Sequence, residues 1–225
     1  MNCFETDVIS DGLSITFLHH ASLLVQYGNV NIYIDPVADF DDCRIDFTCL
    51  PKADLILVTH DHYDHFSPEV IGEISKNGTL VVANLLVAQH IENAITMKNG
   101  DVRTFFGESL KVEAVPAYNI TPEHSQFHTP HRDNGYVLDF KDTSIYVAGD
   151  TEDIPEMDYL KNRNVDIAFL PVNQPYTMTL EQAVRVAKVI SPKIFYPYHF
   201  TDTDIEKLPP MLDGTGIEVR LRKMN

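Results

Sequence analysis

The sequence is poor in basic residues. Lysine and arginine together number 17 against 33 aspartates and glutamates, a formal net charge of -16, and no basic cluster interrupts that field. A phosphate backbone would be repelled, which argues against RNA or DNA as a partner. Cysteine is scarce as well. Cys3, Cys43 and Cys49 are odd in number and form no C-x-x-C pair, so they read as reduced thiols, not as a disulfide framework or a zinc knuckle. No apolar run approaches the ~20 residues that span a bilayer. The opening residues Met1 to Asp7 carry no basic segment followed by an apolar stretch, which predicts a cytoplasmic protein. Low-complexity tracts, linkers and short-period repeats are missing, and so is a G-x-S-x-G nucleophile motif. At 225 residues, 44% of them hydrophobic, the expectation is one domain over residues 1–225.

What is present begins as a β-meander. Ser14 to His19, Ser22 to Tyr27 and Val30 to Ile34 are rich in β-branched and aromatic residues, and Gly28-Asn29 supplies a tight turn between the second and third. Asp54 to Thr59 reads as a buried strand. Ser67-Pro68-Glu69 then gives an N-cap, a first-turn proline and a first-turn acid for a helix carrying Val70, Ile71 and Ile74. Thr79 to Ala83 reads as a strand, Asn84 to Ala94 as a helix, and Val102 to Phe106 and Ser109 to Val115 as strands. A long loop follows from Pro116 to Asn134, the length of connection that more often serves a site than joins elements. Gly135 to Phe140 and Ser144 to Ala148 pair as a hairpin. Val165 to Leu170 is a strand, and Thr179-Leu-Glu-Gln182 is a capping box opening a helix with Ala183, Val186, Ala187 and Ile190 on one face. Lys193 to Tyr196 is a strand, Thr203 opens a short helix that Pro209-Pro210 ends, and Ile217 to Leu221 closes the chain as a strand. Strands first, then strands mixed with helices, predict a sheet core with helices outside.

The stretch VTHDHYDHFSPEV, residues 58–70, sets three histidines and two aspartates into six positions directly behind a strand. In extended backbone His60 and His62 point the same way and can grip one ion, while Asp64 and His65, past a bend, face a neighbouring ion. Asp150 in SIYVAGDT and His199 in KIFYPYHF each stand just past a strand, where loops converge and ligands gather. A lone strand-end histidine is ordinarily a solvated or hydrogen-bonded residue; the H-x-H-x-D-H cluster is too dense for that account. The donor set is imidazole plus carboxylate without thiolate, which suits Zn2+, with Mn2+ or Fe2+ as alternatives, as one ion or two.

At these residues the chain resembles the metallo-β-lactamase fold superfamily, whose H-x-H-x-D-H signature stands here as HDHYDH. The resemblance extends to NIYIDP with Asp35, to GDT at Gly149 to Thr151 and to the terminal YPYH. Within the superfamily it looks like the small, uncapped hydrolases related to ascorbate-6-phosphate lactonase and to the phospholipase D that acts on N-acylphosphatidylethanolamine. LHHASLL, with His20, resembles a segment of that group. The resemblance implies an α/β (α+β) fold, a four-layer αββα sandwich. It assigns His60 and His62 to a first metal, Asp64, His65 and His199 to a second, and Asp150 to both, with Asp35 orienting a ligand histidine. Many relatives place another histidine in a P-A-x-H setting where this chain reads PAYN, with Asn119. The following loop offers His124, His128 and His131; FHTP before Asn134-Gly135-Tyr136 resembles a close subgroup and favours His128, with His124 in reserve and His131 as a surface residue. His62 stands where the flavodiiron oxidoreductases of this fold have glutamate, which disfavours oxygen reduction.

The implied reaction is hydrolysis by a metal-activated bridging water on a small ester, lactone or phosphodiester. Asp64 or Asp61 would shuttle the proton to the leaving group, and His20 would either donate to the oxyanion or pack as a structural histidine. Asn173, Tyr176 and Tyr118 are candidate substrate contacts, or loop residues packed on the core. The alternative is a non-catalytic protein whose metal site binds or senses a small anionic metabolite. A (β/α)₈ amidohydrolase fits poorly, because such a barrel takes about 250 residues and alternates strand and helix from the start.

Overall fold

The computed structural model describes residues 4–41 and 43–224; Cys3 lies outside them. The chain forms two compact units, one from residues up to Met97 together with the segment from Arg222 onward, the other from Lys98 to Leu221.

The first unit is built on a seven-stranded mixed sheet. Its strands are β1 (Glu5–Ser10), β2 (Leu13–His19), β3 (Ser22–Tyr27) and β4 (Val30–Ile34), joined antiparallel. A small ribbon of β5 (Asp39–Phe40) and β6 (Cys43–Arg44) follows. The sheet then continues in parallel through β7 (Leu55–Val58), β8 (Leu80–Ala83) and β9 (Ile95–Thr96). Helix α1 (Pro68–Ile74) covers β7 and β8. Ser67 caps it through Val70 N–H, and Pro68 sits in its first turn, where no hydrogen-bonding N–H is needed. Two turns of helix are marginal alone. Burial of Val70, Ile71 and Ile74 against Tyr33, Ile56, Val58 and Val81 holds it, each such side chain contributing about 1.5–3 kcal/mol.

The second unit repeats the plan: an antiparallel run, then a parallel one. It comprises β10 (Val102–Phe105), β11 (Leu110–Ala117), β12 (Asp133–Asp139) and β13 (Ser144–Val147), followed in parallel by β14 (Ile167–Pro171), β15 (Ile194–Tyr198) and β16 (Glu218–Val219). Helix α3 (Leu180–Ile190), which connects β14 to β15, opens with the full capping box. Gln182 N–H donates to the Thr179 hydroxyl at 3.1 Å, and Thr179 N–H donates to the Gln182 side chain at 2.8 Å.

Two expectations change. The helix read from Asn84 to Ala94 is only the single turn α2 (Leu85–Ala88): Asn93 takes a left-handed φ of 60°, and the chain is drawn into edge strand β9. Pro209-Pro210 does not end a helix but lies in the first turn of α4 (Leu208–Met211), which a 3-10 turn, Ile205–Lys207, precedes. The edge strand β1 and the 3-10 segment Pro155–Asn162 carry no pattern that announced them. Among the described residues no helix is long and apolar enough to cross a membrane.

Candidate metal centre

In the first unit the site grows from the carboxyl ends of neighbouring strands. Parallel pairing sets Ile34 beside Leu57, so Asp35 and Thr59, just beyond those strands, come side by side. Asp35 N–H donates to Leu57 O at 3.0 Å, and Asp35 takes a left-handed φ of 46°. His20, one residue past β2, has the same φ of 46°. Both are left-handed conformations that are uncommon for a non-glycine residue, though Asp and His adopt them more readily than most. Residues 60–66 leave β7 as a tight turn closed by His65 N–H and Phe66 N–H on His62 O, at 3.0 and 2.9 Å, before Ser67 caps α1.

That turn brings the imidazoles together. Ring centroids of His60 and His62 lie 4.5 Å apart, and those of His60 and His65 4.1 Å. One ligand atom each from His20, Asp64 and His65 falls within 4.8 Å of the others, as do one each from His60 and His62 and one each from His60 and His65. His20 Nε2 is 3.1 Å from Asp64 Oδ2, and its ring stacks on Phe40 at 3.5 Å. His60 and His65 are buried, His62 and Asp64 partly so. Asp61 points into solvent, apart from the others.

Beneath these rings lies Asp35, wholly buried. Its Oδ1 accepts from Thr59 N–H at 2.7 Å; its Oδ2 accepts from the Thr59 hydroxyl at 2.7 Å and from His65 Nδ1 at 2.7 Å. Burial pushes the Asp35 carboxyl up from its ordinary range, against the pull of the His65 imidazole and the two Thr59 donors. With its Nδ1 proton engaged on Asp35, His65 presents the Nε2 lone pair, which is what a metal ligand requires. The donor set therefore fits a divalent ion of borderline softness: imidazole nitrogens and a carboxylate, with Cys43 and Cys49 free and elsewhere in the sequence. Neighbouring His19 is buried, which lowers its pKa, and it bonds Val37 O at 3.0 Å; it belongs to the scaffold.

The second unit gathers its donors around Asp150. His199 stands directly past β15 with a left-handed φ of 47°, and Asp150 lies just past β13, with β14 paired between them. His199 Nε2 is 3.0 Å and His128 Nε2 is 3.4 Å from the same Asp150 oxygen, Oδ2; all three side chains are at most 3% exposed. Of the long loop's three histidines, His128 is thus the one carried to Asp150. His124 turns instead to Glu152, with Nδ1 3.2 Å from Oε1, and His131 is exposed. Burial would raise the Glu152 carboxyl, but donors from Thr121, His124 and Ile120 outweigh it and hold the group below its ordinary range.

Asn119 has a structural assignment. Its side-chain amide donates to Tyr176 O at 2.8 Å and to His124 O at 3.3 Å, and its backbone N–H donates to His128 O at 2.9 Å. It pins the long loop to the segment after β14. Asn173 does similar work, with N–H on the Thr177 hydroxyl at 2.8 Å and Oδ1 accepting from Thr201 at 3.0 Å. The Tyr118 hydroxyl donates to Glu156 at 2.8 Å, and burial with that carboxylate leaves its pKa pushed up to about 12. Tyr176 alone of these three is exposed, its ring edge-on to Phe127. Thr59, Glu152 and Phe40 escaped the reading of the sequence. For Thr59 the signal was its place between strand and ligand; Glu152 and Phe40 are tied in only by the fold.

Comparison with known proteins identifies the family and the fold. A family model described as beta-lactamase superfamily domain matches residues 14–199. A UPF0173 metal-dependent hydrolase from Thermus thermophilus is 30% identical over 218 residues, 94% of this chain and 92% of that protein. The crystal structure of a protein described as a metal-dependent hydrolase from Parabacteroides distasonis is similar with a TM-score of 0.92 at 47% identity, covering 99% of this chain and 100% of that one. A metallo hydrolase from the archaeon Ignicoccus hospitalis shares the fold, with a TM-score of 0.77 at 21% identity and coverage of 98% and 97%. The chain belongs to the beta-lactamase superfamily and has the metallo-β-lactamase fold.

Proposed function

We propose that the protein is a metal-dependent hydrolase of small esters, lactones or phosphodiesters, with His60, His62, Asp64, His65, His128, Asp150 and His199 as ligands to one or two divalent ions, zinc first among them. The observation that carries this reading is the H-x-H-x-D-H turn, in which His65 Nδ1 lies 2.7 Å from the buried Asp35 carboxyl, a contact that favours the tautomer a metal needs. Kinship with metal-dependent hydrolases supports it. A bound divalent ion supplies Lewis acidity, lowering the pKa of water towards neutrality and polarising a substrate carbonyl or phosphoryl oxygen.

The chain's own residues account for the rest. Asp64, partly open to solvent and steadied by His20 at 3.1 Å, would pass a proton to a leaving group; Asp61, out in solvent, is the weaker candidate. His20 stacks on Phe40 and serves Asp64, so its first duty is to hold that carboxylate in one orientation. Tyr176 offers an exposed aromatic face for the substrate's organic portion. Asn173 and Tyr118 act behind it, fixing loops.

The test is direct. Purified protein should carry one to two transition-metal ions per chain and hydrolyse generic esters or bis(p-nitrophenyl) phosphate, and Asp150→Ala should lose both properties. Full activity in a metal-free preparation would end this reading. Tight binding of an anionic metabolite without any product would favour a sensing role instead.

A further inference from the structure

We infer that Thr59 is a positioning residue that fixes the proton of His60 on Nδ1 and so directs the Nε2 lone pair of that ring outward. The inference rests on the reading of His60 as a metal ligand, but it is decided by proton geometry that stands without the metal. The Thr59 hydroxyl touches two groups closely: Asp35 Oδ2 at 2.7 Å and His60 Nδ1 at 2.9 Å; His65 Nδ1 is farther, at 3.4 Å, and already bonded to Asp35. A hydroxyl has one proton to give and lone pairs to receive. Asp35 Oδ2 is an acceptor, so the hydroxyl proton goes there. What remains towards His60 is an oxygen lone pair, and the bond to His60 forms only if His60 Nδ1 carries the hydrogen.

The Thr59 backbone reinforces this polarity. Its N–H donates to Asp35 Oδ1 at 2.7 Å, so a single residue is tied to both oxygens of the carboxylate and its hydroxyl is held in register. All four groups are fully buried, which leaves no bulk water to substitute for a lost partner. Asp35 therefore orders two imidazoles: His65 directly, and His60 through the threonine. The hydroxyl is required for the second of these. Valine has the same shape and cannot relay the bond, whereas serine can.

Nitrogen-15 spectra of the histidine rings provide one arm of the test, taken on metal-free wild-type protein at alkaline pH, with the His60 signals assigned by their loss in His60→Gln. They should show His60 protonated on Nδ1. Thr59→Ser should keep that signature, and Thr59→Val should shift His60 towards a mixture of tautomers. In the second arm, zinc affinity measured by chelator competition should be kept within about twofold by Thr59→Ser and should fall by about 10- to 100-fold in Thr59→Val. A wild-type His60 carrying its proton on Nε2 would overturn the inference, as would a folded Thr59→Val that holds zinc as tightly as wild type. If Thr59→Val does not fold, the wild-type and Thr59→Ser spectra decide. If wild-type protein takes up no metal, the proposed function fails, and the same spectra still decide the role of Thr59.

Discussion

His65 Nδ1 and Asp35 Oδ2 lie 2.7 Å apart, and neither side chain has any exposed surface. Asp35 meets three donors with two oxygens, so it has no room for an amide. In Asp35→Asn, either the NH₂ group faces Thr59 N–H across the 2.7 Å that an acceptor now spans, or it faces His65 and forces that ring to accept on Nδ1 and carry its proton on Nε2. The first choice leaves a buried donor unpaired, costing about 1–3 kcal/mol. The second blocks the ligand nitrogen. The variant should therefore be less stable to urea in metal-free form and bind zinc about 10- to 100-fold more weakly. Unchanged chelator competition would show that the Asp35 contact does not orient the ring.

The long loop offers a cleaner contrast, because its three histidines occupy three different environments. His128 faces Asp150, His124 faces Glu152, and His131 faces solvent. Metal affinity in chelator competition should fall most in His128→Ala, by about 10- to 100-fold or more, the loss that removing even a supporting partner produces. His131→Ala should match wild type. His124→Ala should fall between, since Glu152 keeps its bonds from Ile120 and Thr121 and the loop stays anchored. Equal loss in His128→Ala and His131→Ala would refute the assignment.

Much of this was legible in the chain because the signals are local. A strand, a dense turn of ligands and a capped, proline-opened helix occupy residues 55–74 without help from distant segments, and the capping box of α3 is likewise contained within Thr179 to Gln182. The hidden parts depend on distant partners. Strand β1 alternates too little to read as half-buried; it is fixed by pairing with β2 and by Arg222, whose guanidinium bonds Asp7 at 2.6 and 2.7 Å from the other end of the sequence. Which loop histidine faces Asp150 could not follow from spacing, because Asn119, Glu152 and Tyr176 determine it together. Thr59 reads as an ordinary β-branched strand residue until the pairing of β4 with β7 sets it beside Asp35.

Gly135 tests how closely the second unit's strands fit. A Cβ built there would lie 2.5 Å from Ala148 O and 2.9 Å from both Ala148 C and Val147 O, all backbone atoms that cannot swing aside. Gly135→Ala must therefore push β12 away from β13, an overpacking cost of about 1–3 kcal/mol or more. Ala148 is two residues before Asp150, so the displacement also reaches the carboxylate between His128 and His199. The expected result is a lower melting temperature together with reduced metal retention. A variant that melts like wild type would mean that the backbone yields at no cost.

Acid stability should be governed in part by Asp139, at the end of β12 away from the ligands. Burial alone would raise its carboxyl, but bonds from Lys111 and Ser144 and the charge of Arg163 outweigh this and hold it below its ordinary value. A group with a depressed folded pKa adds stability that is fully present above its unfolded pKa, near 3.8, and is lost as pH falls through the lower folded value. Asp139→Asn removes that contribution at every pH. Urea denaturation should therefore find the variant less stable than wild type near neutrality, by about 1 kcal/mol for loss of a partly buried charged bond. The gap should narrow as the solution is acidified past the unfolded value, the two unfolding curves converging once the wild-type carboxyl is protonated in both states. A gap that stays constant down the acid limb would show that Asp139 stabilises the strand by shape and hydrogen bonding, not through its charge.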